Sequence, residues 1–129
     1  IFVGCLPIQG IRTLSKKLKI PVTTTIHGLG VVDENDQLSL QMLGMHGNAA
    51  ANYAIQQADL IINIGSRFDD RITGNVKEFA LNAKKAEEYG KGGIVHIDIN
   101  SKQLGAVVEP TIGIVGDSKY VVNNITGIQ

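Results

Sequence analysis

Four charged side chains, Arg67, Asp69, Asp70 and Arg71, fall within five consecutive positions. Guanidinium groups grip phosphate or carboxylate in bidentate fashion, and neighbouring carboxylates can hold them in place. The cluster follows Gly65, which ends the apolar run Leu60-Ile61-Ile62-Asn63-Ile64. A run of that length and β-branched content reads as a strand buried on both faces. Ligands on open parallel sheets sit beyond the carboxyl ends of such strands, where this cluster falls. A solvated loop with local ion pairs is the other reading, and such pairs contribute little to stability.

The elements that would position the cluster can be taken in order. Residues 1–4 read as a short strand ending at Gly4, and Cys5 to Gly10 as a connector. Ile11, Leu14 and Leu18 recur at helical spacing with Arg12, Lys16, Lys17 and Lys19 around them, an amphipathic helix that covers a sheet. Ile20 to Thr25 is β-branched and extended, with Pro21 at the strand start. Strand, helix and strand in that order imply a crossover unit. Gly28-Leu29-Gly30 then offers a lone G-x-G, which a tight turn explains as well as a nucleotide loop does. Val31 to Leu40 reads as a polar loop.

Gly44-Met45-His46-Gly47 precedes a helix whose buried stripe would be Ala51, Ala54, Ile55 and Ala58, capped by Gly47 or Asn48. Its backbone N–H groups could face a phosphate, or the turn could be a plain helix entry with a packed methionine. Asn75 to Tyr89 reads as a solvated helix or long loop ended by the glycines around Lys91. Ile94 to Ile99 is a further strand. Its Asp98 can accept a ribose hydroxyl or start an Asp-Ile-Asn-Ser turn. One helical turn is expected between Lys102 and Val108, and a last strand over Thr111 to Gly116. Asp117 reads as the N-cap of a final helix through Val121, Val122 and Ile125. That capping would leave the Gly116 and Asp117 backbone free to meet an adenine.

The totals narrow the class. One domain is the prior for 129 residues with 43% hydrophobic content. Twelve basic and twelve acidic side chains balance, so there is no electrostatic footprint for nucleic acid or an anionic membrane. The single Cys5 can form no internal disulfide, which fits a reducing compartment. His27, His46 and His96 show no metal-ligand spacing, and His96 reads as a satisfied core residue. No order of Ser, His and Asp suggests a nucleophile, so no catalytic residue is named. The start at Ile1, straight into a strand, suggests part of a longer polypeptide.

Three stretches then carry a likeness: Pro21 to Gly30, Leu43 to Gly47, and Gly65-Ser66-Arg67-Phe68-Asp69-Asp70-Arg71-Ile72-Thr73-Gly74. Together with the strand from Ile94 to Asn100 and Gly116-Asp117, they resemble the middle domain of the acetohydroxyacid synthase (acetolactate synthase) family. The lysine-rich insert before Gly92-Gly93 looks like the fungal branch. The resemblance implies an α/β fold of three layers: a Rossmann-like six-stranded parallel sheet flanked by helices and holding FAD. It implies a flavin side made by Thr25, Ile26, His27, Leu43, Gly44, Met45 and His46. Gly65, Arg67, Asp69, Arg71 and Ile72 would hold the pyrophosphate, the ribityl chain and the nearby loop. Asp98 and Ile99 would meet the adenosine ribose, and Gly116 with Asp117 the adenine end. Met45, Asp70 and Arg71 resemble positions facing the substrate channel and its inhibitors.

The same likeness implies thiamine diphosphate and magnesium on flanking domains, a homo-oligomer with a regulatory subunit, and a mitochondrial location if the source is fungal, otherwise cytoplasm or plastid. Two departures stand out. The family's longer glycine-rich turn after the first strand is reduced here to Gly4-Cys5, and His27 stands where Gln or Met is common. A flavin-free middle domain of a related decarboxylase, or a non-catalytic nucleotide-binding module, are the other readings.

Overall fold

The apolar runs form parallel strands and the amphipathic stretches pack on both faces of the sheet. That is the arrangement in a computed structural model, which describes residues 2–3 and 8–127. The elements are β1 (Phe2–Val3), α1 (Ile8–Leu18), β2 (Val22–Thr24), a 3-10 turn (Ile26–Gly28), β3 (Ser39–Met42), α2 (Ala49–Gln57) and β4 (Leu60–Ile64). There follow α3 (Asp70–Thr73), α4 (Leu81–Glu88), β5 (Gly93–Asp98), a second 3-10 turn (Ser101–Gln103), β6 (Ile112–Val115) and α5 (Ser118–Thr126). Every strand pairing is parallel, in the order β3-β2-β1-β4-β5-β6.

The five strands of three residues or more fall into two blocks, β3-β2 and β4-β5-β6. The two-residue β1 joins the blocks, so the expected α/β class is present and the sixth strand rests on Phe2–Val3 alone. Having reached the β3 edge, the chain returns to the far side of β1 to begin β4. That reversal is the topological switch point, and ligands of doubly wound sheets lie in the crevice there.

Side-chain alternation along β4 and β5 sorts the core into two layers. Ile61 and Ile94 face Ala51 and Ile55 of α2, Ala83 of α4, Phe68 and Phe79. Ile64 and Ile97 face the other way, toward Ile11 of α1 and Val122 of α5. Asn63, His96 and Asp98 take the first face by the same alternation, at its carboxyl end.

Several expectations are corrected. Helix α1 starts at Ile8, inside the expected connector, and Gly10 lies buried in it. The edge strand β3 occupies part of the expected polar loop; its alternation is broken by Gln41, which has φ of 62° beside a register shift. Of the segment from Asn75 to Tyr89, expected as a helix or a long loop, only Leu81–Glu88 is helical, preceded by Ala80 in a left-handed conformation. The charge cluster itself contains a helical turn, α3. The shortened turn at Gly4-Cys5 lies outside the described residues.

Candidate functional site

The carboxyl ends of β2, β3 and β4 deliver Thr25, Leu43 and Gly65 to one cleft of about 400 Å³. The loop after β4 keeps its alternation: Ser66 and Phe68 are buried, and Arg67 between them is exposed and lines the cleft. Asp69 then caps α3, its carboxylate accepting from the Ile72 N–H at 3.2 Å. The single turn that follows brings Arg71 and Ile72 to the same cleft.

The opposite wall is locked to this one by backbone. The Met45 N–H donates to the Arg71 carbonyl at 2.8 Å. Gly44 has φ of 113°, and a Cβ there would stand 2.8 Å from that same carbonyl oxygen, so only glycine suits the position. Asn52 of α2 holds Gly44 twice, accepting from its N–H at 3.2 Å and donating to its carbonyl at 2.9 Å.

The cleft combines two chemistries. Among the described residues neither Arg67 nor Arg71 has a carboxylate within pairing distance; the one basic side chain that approaches a carboxylate is His96, 3.9 Å from Asp98, and that contact is charged only if the imidazole is protonated. The expected restraint of the arginines by Asp69 and Asp70 is therefore absent: Asp69 is taken up by its capping role, and Asp70 is exposed and lies off the cleft. Two guanidiniums that line one cavity, with no carboxylate of the described residues beside them, can grip an anion. Beside them, Ile26 and Met45 expose 67% and 72% of their surface at the mouth, and Met42, Leu43 and Ile72 line it too. An anion clamp beside an apolar slab suits a ligand with a phosphate and a flat ring.

Of the residues carried over as flavin contacts, the cleft gathers all except Gly44, Asp98, Ile99, Gly116 and Asp117; Asp70, carried over for the substrate channel, is off it too. Gly44 shapes the wall from behind. The other four lie farther along the same rim, at the ends of β5 and β6. There the Asp98 carboxylate starts the Asx turn, accepting from the Asn100 N–H at 2.8 Å, and Asp117 caps α5 through the Tyr120 N–H at 3.1 Å. The Gly116 N–H is not free, since it donates to the Asp98 carbonyl at 3.0 Å. The N–H groups of the Gly44–Gly47 turn do not form a phosphate nest either: those of Gly44, Met45 and Gly47 are all bonded within the protein. Asn48, not Gly47, caps α2.

Met42 and Ser66 line the cleft without having been singled out. Met42 belongs to the edge strand that periodicity did not reveal. Ser66 is signalled only by its place between Gly65 and Arg67. His96 is buried as expected but not satisfied, because neither ring nitrogen has a hydrogen-bond partner. Burial pushes its pKa below the ordinary histidine value; the Asp98 carboxylate, 3.9 Å away, and the Ser66 carbonyl pull weakly the other way. Among the described residues no cluster of His, Cys, Asp or Glu could hold a metal, and no helix is long and apolar enough to cross a membrane.

Comparison with known proteins places this geometry in a family context. The profile described as "Thiamine pyrophosphate enzyme, central domain" matches residues 8–125. The chain is 56% identical over 107 residues to a protein of Schizosaccharomyces pombe named acetolactate synthase, mitochondrial, covering 83% of this chain and 16% of that protein. It is 51% identical over 108 residues to the acetolactate synthase catalytic subunit, mitochondrial, of Saccharomyces cerevisiae, covering 84% of this chain and 16% of that one. A probable acetolactate synthase large subunit of Methanococcus aeolicus is 45% identical over 112 residues, 87% of this chain and 17% of its own length. The chain thus spans about one sixth of the relatives it matches.

Proposed function

Because the chain belongs to the family of thiamine pyrophosphate enzyme central domains, we propose that it is the FAD-holding middle section of an acetolactate synthase catalytic chain. The observation that carries this reading is the pair of unpartnered guanidiniums, Arg67 and Arg71, on one cleft near the switch point of the sheet. A dinucleotide's diphosphate is the anion that a doubly wound sheet takes at that place. The residues fit the group: the arginines meet the diphosphate, and the apolar mouth of Ile26 and Met45 with Leu43 behind it meets the ring system.

In this reading Thr25, His27 and His46 flank the flavin side, Gly65 and Asp69 border the diphosphate and ribityl chain, and Asp98, Ile99, Gly116 and Asp117 line the adenosine end. The flavin is held structurally and performs no net redox chemistry. Condensation of pyruvate with a second 2-oxo acid, toward branched-chain amino acids, would use thiamine diphosphate and magnesium on flanking domains. This chain's own part is to bind and orient the flavin and to present Met45, Asp70 and Arg71 to the substrate channel. The likeness to proteins named mitochondrial favours a mitochondrial location. A homo-oligomer with a regulatory subunit completes the proposal.

The test is direct. The full-length polypeptide should purify yellow, and Arg67→Ala should strip the flavin absorbance while the protein stays folded. A colourless wild-type protein that takes up no FAD on titration overturns the cofactor; full retention of flavin by Arg67→Ala with Arg71→Ala overturns the clamp.

A further inference from the structure

Asn63 sits in the middle of the sheet, fully buried, opposite His96 of the neighbouring strand. The pair is expensive where it stands, because Asn63 Oδ1 and both ring nitrogens of His96 have no hydrogen-bond partner. Two apolar side chains of similar volume would satisfy the same core. The polar atom of the pair that does make a bond is Asn63 Nδ2, and its bond leaves the sheet: it donates to the Ser66 carbonyl at 2.7 Å.

That carbonyl opens the loop bearing Arg67. The loop begins at Gly65, whose N–H donates to the Ile97 carbonyl at 2.8 Å. The Arg67 carbonyl accepts from Ser66 Oγ at 3.2 Å and from the Asp69 N–H at 2.9 Å. Phe68 closes the segment, edge-on to His96 with ring centroids 5.2 Å apart. The peptide before Arg67 is thus held from below by one side-chain bond, and the aim of the guanidinium follows from that peptide's orientation.

We infer that Asn63 is a positioning residue: through the Ser66 carbonyl it sets the direction in which Arg67 enters the cleft, and so the affinity of the site for a diphosphate-bearing ligand. The inference rests on the reading of Arg67 as part of an anion clamp. His96 supports it by packing under Phe68.

A double-mutant cycle tests it in flavin-stripped full-length polypeptide, with FAD as the probe and apo-protein melting as a second readout. Asn63→Leu, close in volume, should weaken FAD binding about tenfold, within the range of coupled neighbours. It should leave the apo melting temperature unchanged or higher. In an Arg67→Ala background the same change should have an effect of less than about twofold, because the group it aims is gone. Additive losses, or FAD affinity of Asn63→Leu within about twofold of wild type, overturn this inference alone. Should Asn63→Leu fail to fold, Asn63→Ser, too short to reach Ser66, takes its place in the cycle. If both variants lower the apo melting temperature and lose FAD in step, Asn63 is ordinary core and the inference falls. If Arg67→Ala binds FAD as tightly as wild type, the clamp reading falls and takes this inference with it.

Discussion

At Gly44 one residue holds two walls of the site together. Its φ of 113° and the Arg71 carbonyl, 2.8 Å from where a Cβ would stand, rule out a side chain on two separate grounds. Gly44→Ala should cost more than about 1 kcal/mol in stability and weaken ligand binding at the cleft as well. Thermal melting and ligand titration of the same variant check both halves. His96 carries a second expectation. Burial holds its pKa below the ordinary value of about 6.5, so the unfolded chain takes up a proton at a pH where the folded chain does not. Between those two values the unfolded state binds more protons, and stability falls as the pH drops below about 6.5. The protection factors of the β5 amides, which remove the pH dependence of intrinsic exchange, should fall as the pH drops through that window and stop doing so in His96→Phe.

The elements owe their ends to caps and their angles to small contacts. Asp69 and Asp117 each accept a hydrogen bond from the backbone N–H three residues on. Asp117→Ala should cost about 1 kcal/mol, the ordinary value for an N-cap. Asp69→Ala should cost stability on a similar scale and should also shift Arg71, since α3 is a single turn that starts at this cap. Comparing the melting loss with the loss of FAD affinity separates the two variants: only Asp69→Ala should weaken the ligand. Helix α1 approaches α5 through Gly10, where a Cβ would lie 2.6 Å from Val122 Cγ1. Gly10→Ala should therefore destabilise, although alanine is the better helix former. An unchanged or raised melting temperature would show that the two helices can move apart freely.

For the whole molecule, the decisive feature is a sheet order that reverses beside β1, with the cleft at the carboxyl ends of β2, β3 and β4. The edge strand β6 and helix α5 expose Ile112, Val115, Tyr120 and Ile125 by more than half. If the chain is the middle section of a longer polypeptide, as proposed, it should bind FAD far more weakly alone than within that polypeptide. Fluorescence titration of the two forms measures this, and equal affinities would refute it.

What could be read from the residues alone was whatever depends on neighbours in the chain. The run Leu60–Ile64 and the stripe of Ile11 and Leu14 carry their own periodicity, and Asp117 carries the chemistry of its cap. A dense set of arginines and aspartates after a buried strand marked the site for the same reason. Tertiary structure decided the rest. The strand at Ser39–Met42 has no clean alternation of its own, because pairing with β2 and a bulge at Gln41 define it. Whether the Gly44–Gly47 turn faced a phosphate or was a plain helix entry was open in the sequence; in the fold the N–H groups of Gly44, Met45 and Gly47 find partners in Asn52, Arg71 and the turn itself. Whether Asp69 and Asp70 would neutralise the arginines, or leave them open to an anion, was likewise settled by distance in space: a side chain's charge is written in the sequence, but its partner is chosen by the fold.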